Sequence, residues 1–239
     1  MMDRNITHYT VPIGSDLWIA MNLGLIAFFI IIFGASYKAN QRRLNIIRYS
    51  LGSFLAADYV YSQIHALMNG TWDASISLPL QLCSFSQLLA IALCFTKKQW
   101  VYEFLIFWSA GAIHAFLTPE ISEGYSVYNA TTYTIGHGGI IVTAFFATFK
   151  LHLTPRPLSW WKVFLYTQLV LPIIGSINYF LGANYMYLAQ RPDANNPFII
   201  GEWPWYIVSL EAVIIVHFYA FYWIHQRVVQ VRYNLTPAT

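Results

Sequence analysis

The chain has 239 residues, of which 57% are hydrophobic and 10% are charged, and its formal net charge is +3. Soluble domains carry about a quarter charged residues, so this composition excludes an ordinary water-soluble enzyme built around one core. The small positive charge lies in short segments between apolar runs and gives no indication of nucleic-acid binding. We therefore predict an integral membrane protein.

Apolar runs that could cross a bilayer recur along the chain. A spanning helix needs about 20 predominantly apolar residues. Seven runs approach that length, and they predict an all-α fold with one seven-helix transmembrane domain over 1–239. The predicted spans are 17–37, 46–67, 79–96, 100–118, 132–149, 163–182 and 204–225. The first run lacks the basic leading segment and cleavage site of a signal peptide, so we interpret it as a retained span.

The segments between the predicted spans differ in charge on the two sides of the membrane. All five lysines fall in the segments after the first, third and fifth spans, which contain no Asp or Glu. The basic residues on this side, with those of the C-terminal segment, are Lys38, Arg42, Arg43, Lys97, Lys98, Lys150, Arg156, Lys162, Arg227 and Arg232. The other side carries Asp3, Asp16, Asp73, Glu120, Glu123, Asp193 and Glu202, with Arg4 and Arg191. Because loops rich in Lys and Arg stay in the cytosol, the pattern predicts an external N-terminus and a cytosolic C-terminus.

Four charged residues fall inside the predicted spans. Arg48 and Glu103 lie near cytosolic helix ends, where a long side chain can reach water. Asp58 lies about three turns into the second span, and Glu211 lies about two turns below the external end of the seventh. Carboxylates at such depths are costly and usually face a polar interior. Each is therefore either a structural hydrogen-bonded group or part of a functional site.

Two predicted helix beginnings bring a thiol and an imidazole to a similar depth on the external side. The third span begins with LPLQLC (78–83), so Cys83 lies about one turn below the surface and Gln81 just above it. The fifth span contains His137 followed by two glycines, the first of which is Gly138. Glycines let another backbone or a lipid group approach closely.

Other polar and aromatic residues are predicted in the same outer half of the membrane. They are two histidines near helix ends, residues around the ends of the sixth and seventh spans, and the two deep carboxylates: His65, His114, Asn178, Asn184, Tyr187, Trp205, Asp58 and Glu211. Each has an ordinary explanation, because a membrane histidine usually bonds a neighbouring helix and aromatic residues form interfacial belts. The shared depth of residues from several helices favours a functional pocket, and we predict these residues as supporting or substrate-binding groups.

A Cys–His pair can act as a nucleophile and its base. The thiolate is the reactive form of cysteine, and a nearby imidazole can accept the thiol proton. We therefore predict Cys83 and His137 as catalytic residues. A third group must orient the imidazole, and Glu211, Asp58 and Asn184 are the candidates.

Metal binding is an alternative use of the histidines. His65, His114 and His137 could converge on one ion, together with Cys83. None of these residues is three or four positions from another, as ligands on one helix often are. We predict no metal site and no cofactor.

Several strings of the sequence together resemble a known family. They are LPLQLCSFSQLL (78–89), YEFLIFWSAGAIHAFLTPE (102–120), HGG (137–139), NYMYL (184–188) and WPWYIVSLE (203–211). In this order, over roughly 46–225, they resemble the YwaF-like integral membrane proteins of Gram-positive bacteria. That family is similar to eukaryotic transmembrane acyltransferases, which use a cysteine and a histidine to move acyl chains between phospholipids. The resemblance places the nucleophile on Cys83 and the histidine on His137, and implies a bacterial cell membrane.

The preferred hypothesis is an intramembrane acyl-transfer enzyme with an acyl-thioester intermediate on Cys83. Its partners would be membrane phospholipid and lysophospholipid, and Gln81, Asn184 or backbone N–H groups near Gly138 would stabilise the oxyanion. The alternative is a small-molecule or lipid transporter or binding protein with an outward-facing polar pocket lined by Asp58 and Glu211. A structural or metal-binding protein is the third hypothesis.

Overall fold

The computed structural model describes residues 9–122, 124–192 and 196–235, with side chains as far as 227. Asp3, Arg4, Glu123 and Asp193, which entered the charge pattern, lie outside the described residues, as does the side chain of Arg232. The described chain is helical apart from a pair of two-residue strands, β1 and β2. The predicted all-α class is confirmed.

Seven α-helices follow one another along the described chain. They are α1 (Asp16–Ala35), α2 (Gln41–Met68), α3 (Leu82–Thr96), α4 (Gln99–Leu117), α5 (Val127–Phe149), α6 (Ser159–Leu181) and α7 (Trp205–Leu235). A 3₁₀ helix covers Tyr185–Tyr187. Strand β1 (Tyr9–Thr10) pairs antiparallel with β2 (Glu120–Ile121), which joins the segment before α1 to the segment after α4.

Four of the described helices are long and apolar enough to cross a membrane. They are Asp16–Ala35, Gln99–Leu117, Ser159–Leu181 and the part of α7 from Trp205 to Arg227. Helix α3 is apolar but has only 15 residues. The seven-span count and the orientation of the termini stay predictions.

Two observed helices begin at residues other than the predicted ones. Helix α5 begins five residues before the predicted position, because the Ser126 hydroxyl accepts a hydrogen bond from the Asn129 N–H at 2.9 Å and caps the helix there. Helix α3 begins at Leu82, and Pro79 lies in the turn before it instead of in its first helical turn.

The core is centred on α4. Helices α3 and α5 flank it, and α1 and α2 cover one side of this group while α6 and α7 cover the other. Tyr102, Leu105 and Phe107 are fully buried along α4. Large apolar side chains on α1, α6 and α7 point outward, as expected for helices that face lipid.

Two charged side chains that were expected to reach water are buried. Arg48 is 3% exposed, and it donates a hydrogen bond to the carbonyl of Cys94. Glu103 is 4% exposed and forms an ion pair with Arg156, with 2.7 Å between Oε2 and Nη2. The hydrogen bonds and charge of Glu103 raise the pKa of the Arg156 guanidinium. Glu103 is thus paired with a cation, whereas Arg48 is held by a backbone carbonyl and the Asn45 side chain.

Candidate functional site

Two cavities meet at Cys83 and His137. The α2 cavity has a volume of about 250 Å³ and lies among α2, α3 and α5. The α7 cavity has a volume of about 490 Å³ and lies among α3, α4, α5, α6 and α7. Cys83, Ser84, Ser122, Tyr133 and His137 line both. The thiol and the imidazole predicted from the sequence therefore share one junction.

Cys83 is the second residue of α3. The helix has no side-chain cap, and the first backbone bond at its start runs from the Phe85 N–H to the Gln81 carbonyl. No described residue accepts a hydrogen bond from the N–H of Leu82, Cys83 or Ser84. Unpaired N–H groups at a helix start favour negative charge nearby. They lie beside the thiol.

The backbone of its own helix orients His137. Its Nδ1 lies 3.0 Å from the carbonyl oxygen of Tyr133, so Nδ1 carries the proton and donates. In the neutral ring, Nε2 then holds a free lone pair that can accept a proton. The Tyr133 ring stacks on the imidazole with 4.0 Å between ring centroids, and its hydroxyl donates to the Ala115 carbonyl at 3.0 Å. This arrangement holds the imidazole in the form of a general base.

The three side chains predicted to orient His137 are engaged elsewhere. Asp58 lines the α2 cavity and accepts a hydrogen bond from Gln87 at 3.4 Å. Glu211 lines the α7 cavity and accepts one from Gln168 at 2.6 Å. Asn184 binds the backbone of residues 189 and 190.

No hydrogen bond joins the Cys83 thiol to His137 in the described arrangement. The two groups come from different helices, α3 and α5, and face the same two spaces. Catalytic hydrogen bonds often form only when substrate is bound, and one water can carry the proton. A nucleophile and its base can be arranged in this way before substrate binds.

Gln81 lines the α7 cavity next to the thiol. Its side-chain oxygen accepts a hydrogen bond from the Met186 N–H at 2.7 Å. This bond fixes the carboxamide and leaves both hydrogens of its NH₂ group without a described acceptor. Gln81 can therefore present a donor to the cavity.

The buried side-chain amide of Asn178 holds the segment after α6. The Asn178 side chain is 4% exposed, donates to the Tyr185 carbonyl at 2.9 Å and accepts from its N–H at 2.8 Å. Tyr187 lines the α7 cavity, and its carbonyl accepts from the Tyr206 hydroxyl. Trp205 is 69% exposed and lines neither cavity. Asn178 thus shapes the cavity wall without facing it.

Tyr185 ties this segment to the chain before α3. Its hydroxyl donates to the Ala74 carbonyl at 2.8 Å and accepts from the Leu78 N–H at 2.9 Å. The segment that leads into the cysteine helix is therefore anchored on the wall of the α7 cavity.

The three histidines proposed as metal ligands have separate partners. His65 lines the α2 cavity and stacks on Tyr128 with 3.9 Å between centroids. His114 lies 3.0 Å from His217, measured between their Nε2 atoms. Across the described part of the chain, no three His, Cys, Asp or Glu residues are placed to hold one metal ion.

The two glycines after His137 serve helix packing. A methyl group added to Gly138 would meet Leu25 and Phe28 of α1 at 3.5 Å, and one added to Gly139 would overlap Leu55 of α2. Gly138 lies inside α5, where its N–H belongs to the helix, and it lines neither cavity. The predicted oxyanion role of N–H groups near Gly138 stays a prediction, and the N–H groups at the start of α3 lie closer to Cys83 along the chain.

Sequence reasoning missed two residues of the site. Tyr133 precedes His137 by four positions, which is the spacing that brings a carbonyl to a side chain on one helix. The sequence spacing could therefore have indicated the contact between Tyr133 and His137. The pairing of His217 with His114 depends on the contact between α4 and α7, which no local sequence pattern indicates.

Comparison with known proteins gives one match. The model of the TMEM164 family matches residues 8–222. No curated protein and no solved structure matches the chain. Together with the apolar helices, the family match identifies an integral membrane protein.

Proposed function

The chain belongs to the TMEM164 family, and from this premise we propose that it is an intramembrane acyl-transfer enzyme that acts on phospholipid acyl chains. One observation carries the proposal: Cys83 and an imidazole with a free Nε2 line the junction of two cavities. A nucleophile, its base and space for a substrate are the elements that covalent acyl transfer needs. The YwaF-like resemblance and the bacterial cell membrane remain predictions.

The first half-reaction loads the cysteine. His137 Nε2 accepts the proton from Cys83 Sγ, and the thiolate attacks the carbonyl carbon of a phospholipid ester. The tetrahedral intermediate collapses when the bond from carbon to the glycerol oxygen breaks. The leaving oxygen takes the proton back from Nε2, and a lysophospholipid departs from an acyl-thioester.

The second half-reaction transfers the acyl group from Cys83 to an acceptor. The hydroxyl of an acceptor lysophospholipid gives its proton to His137 Nε2 and attacks the thioester carbonyl. The carbon–sulfur bond breaks, and the thiolate regains a proton from the imidazolium. Water in the acceptor position would make the enzyme a hydrolase, with a free fatty acid as product.

Donors beside the thiol would stabilise the oxyanion. The candidate donors are the N–H groups of Leu82, Cys83 and Ser84 at the start of α3 and the NH₂ group of Gln81 just before it. Hydrogen-bond donors that are fixed before the reaction stabilise developing negative charge most effectively. Removal of one such donor costs about 10²–10³ in rate in well-studied enzymes.

The site would lie in the outer half of the membrane. This placement follows from the predicted seven spans, the external N-terminus and the positive cytosolic loops. Cys83 would then be reached from the lipid by lateral entry between helices.

The test is mass spectrometry of purified protein incubated with phospholipid. We expect an acyl adduct on Cys83 that Cys83→Ala abolishes and His137→Ala strongly reduces. Cys94→Ala is the matched control, because Cys94 lies on the same helix, is 1% exposed and lines neither cavity. His152→Asn is the control for the histidine, because His152 lies in the irregular segment between α5 and α6 and lines neither cavity. Lipid turnover that persists in Cys83→Ala would overturn the mechanism.

A transporter or lipid-binding protein is the alternative, since Asp58 and Glu211 each line a cavity. It predicts that Asp58→Asn and Glu211→Gln abolish uptake into liposomes while Cys83→Ala does not. We prefer acyl transfer, because Cys83 and His137 line both cavities whereas Asp58 and Glu211 each line only one.

A further inference from the structure

The α7 cavity continues well beyond the thiol. On α7 its lining runs from Tyr206 to Phe218, which are twelve residues apart, or about 18 Å along a helix. On α4 it runs from Ala115 to Phe107. Phe107 and Phe218 pack against each other at its far end. The cavity has the elongated form that an extended chain requires.

The walls of this extension are largely apolar. Trp108, Leu171, Leu210, Ile214 and Phe218 line it. The polar side chains along the same walls are paired among themselves: His114 with His217, Glu211 with Gln168, and Trp108 with Thr167. Because these polar groups already have hydrogen-bond partners, a hydrocarbon chain can occupy the space without leaving them unsatisfied.

The α2 cavity differs in its lining. It contains Asp58, Ser62, Gln63, Ser77 and Thr132 in about half the volume of the α7 cavity. No Lys or Arg lines either cavity among the described residues. The polar glycerol part of a lipid fits this lining better than its hydrocarbon tail. The two sides of the Cys83 junction therefore suit the two ends of an ester.

Gly111 lies on α4 within the lining of the α7 cavity. A methyl group added there would have no atom within 4 Å, so a larger side chain would extend into open space. Building on the proposed function, we propose that the transferred acyl chain lies in the α7 cavity and that Gly111 sets how long a chain the cavity accepts. Gly111 is thus assigned as a specificity-determining residue.

The experiment offers an equimolar mixture of phospholipids that differ only in acyl length. The distribution of adducts on Cys83 is read by mass spectrometry for wild type, Gly111→Ala and Gly111→Leu. We expect Gly111→Leu to lower the ratio of long-chain to short-chain adduct about tenfold or more, as when a pocket loses room for a few methylenes. Gly111→Ala should give a smaller shift in the same direction.

Gly175→Leu is the matched control. Gly175 also lies inside a helix, has no atom within 4 Å of an added methyl group and lines neither cavity. Its adduct distribution should equal that of wild type. Adducts that form in Gly111→Leu with the wild-type distribution would overturn the inference and leave the proposed function standing.

A second measurement does not depend on enzyme activity. Alkyl thiosulfonates of graded chain length label Cys83 in the Cys94→Ala background, because the thiolate displaces a sulfinate and forms a mixed disulfide. We expect Gly111→Leu to slow labelling by long-chain reagents about tenfold relative to short ones. If no lipid adduct forms in wild type but this discrimination is present, the acyl-transfer function fails while the cavity assignment holds. Equal slowing at all lengths would refute the assignment.

Discussion

Gly139 offers the sharpest test of the packing that carries His137. A Cβ atom built on Gly139 lies 2.3 Å from Cδ2 and 3.1 Å from Cδ1 of Leu55, which is fully buried on α2. Carbon atoms in contact prefer about 3.5–4.0 Å, so this overlap must be relieved. The Leu55 side chain is 0% exposed and lines neither cavity, so its displacement would press on buried neighbours. Gly139→Ala should therefore separate α2 from α5.

The expected change in the free energy of unfolding has two opposing contributions. Overpacking a filled core costs about 1–3 kcal/mol. Replacing a glycine inside a helix by alanine stabilises the folded state by about 0.5–1 kcal/mol. The difference is about 0–2.5 kcal/mol, so we expect Gly139→Ala to lower the free energy of unfolding by about 1 kcal/mol. Gly138→Ala should raise it by about 0.5–1 kcal/mol, because its methyl group would meet neighbours at an ordinary 3.5 Å.

The assay is equilibrium unfolding in mixed micelles, followed by far-UV circular dichroism. Gly138→Ala is an adjacent control on the same helix. A double variant with Leu55→Ala should be less destabilised than the sum of the two single changes, since the added methyl group fills part of the space that leucine leaves. Equal stabilities for Gly138→Ala and Gly139→Ala would refute the packing argument.

Three further outcomes follow from the hydrogen bonds of the fold. Asn178→Ala removes both bonds to the buried backbone of Tyr185, and we expect a loss of about 2–4 kcal/mol in unfolding free energy together with reduced formation of the Cys83 adduct. Arg156→Ala leaves the buried Glu103 carboxylate without its ion pair, and thermal unfolding should show a loss of about 1–3 kcal/mol that Arg156→Lys only partly restores. Tyr185→Phe removes a donor to Ala74 and an acceptor for Leu78, and proteolysis between α2 and α3 should become several times faster; an unchanged rate would contradict the anchoring role.

Composition and hydropathy were enough to predict the helical class, because long apolar runs have few alternatives in a membrane. Helix starts were less predictable. Ser126 begins α5 through a local cap that competes with hydropathy, and Pro79 stands in a turn although it would also fit a first helical turn. The order of the helices could be predicted from the sequence, whereas the residues at which they begin depended on local interactions.

Cys83 and His137 could be predicted as neighbours because depth along each helix follows from residue count. Their supporting residues could not. Asp58, Glu211 and Asn184 were all plausible partners for the imidazole, and only the helix packing shows each bound to another group. Which side chains meet depends on how each helix is rotated about its axis. Counting residues gives the depth of a side chain but not this rotation.

The shortness of α3 has a consequence for the chain before it. Fifteen residues extend about 22 Å, while the hydrocarbon layer of a bilayer is about 30 Å thick. If α3 lies across the membrane, part of the turn region before Leu82 is immersed below the surface, where peptide groups have no solvent to bind. In this turn region the Tyr185 hydroxyl donates to the Ala74 carbonyl and accepts from the Leu78 N–H, as a water molecule would do at the surface. With α3 so placed, a single phenol would take the place of hydration where the helix that carries Cys83 begins.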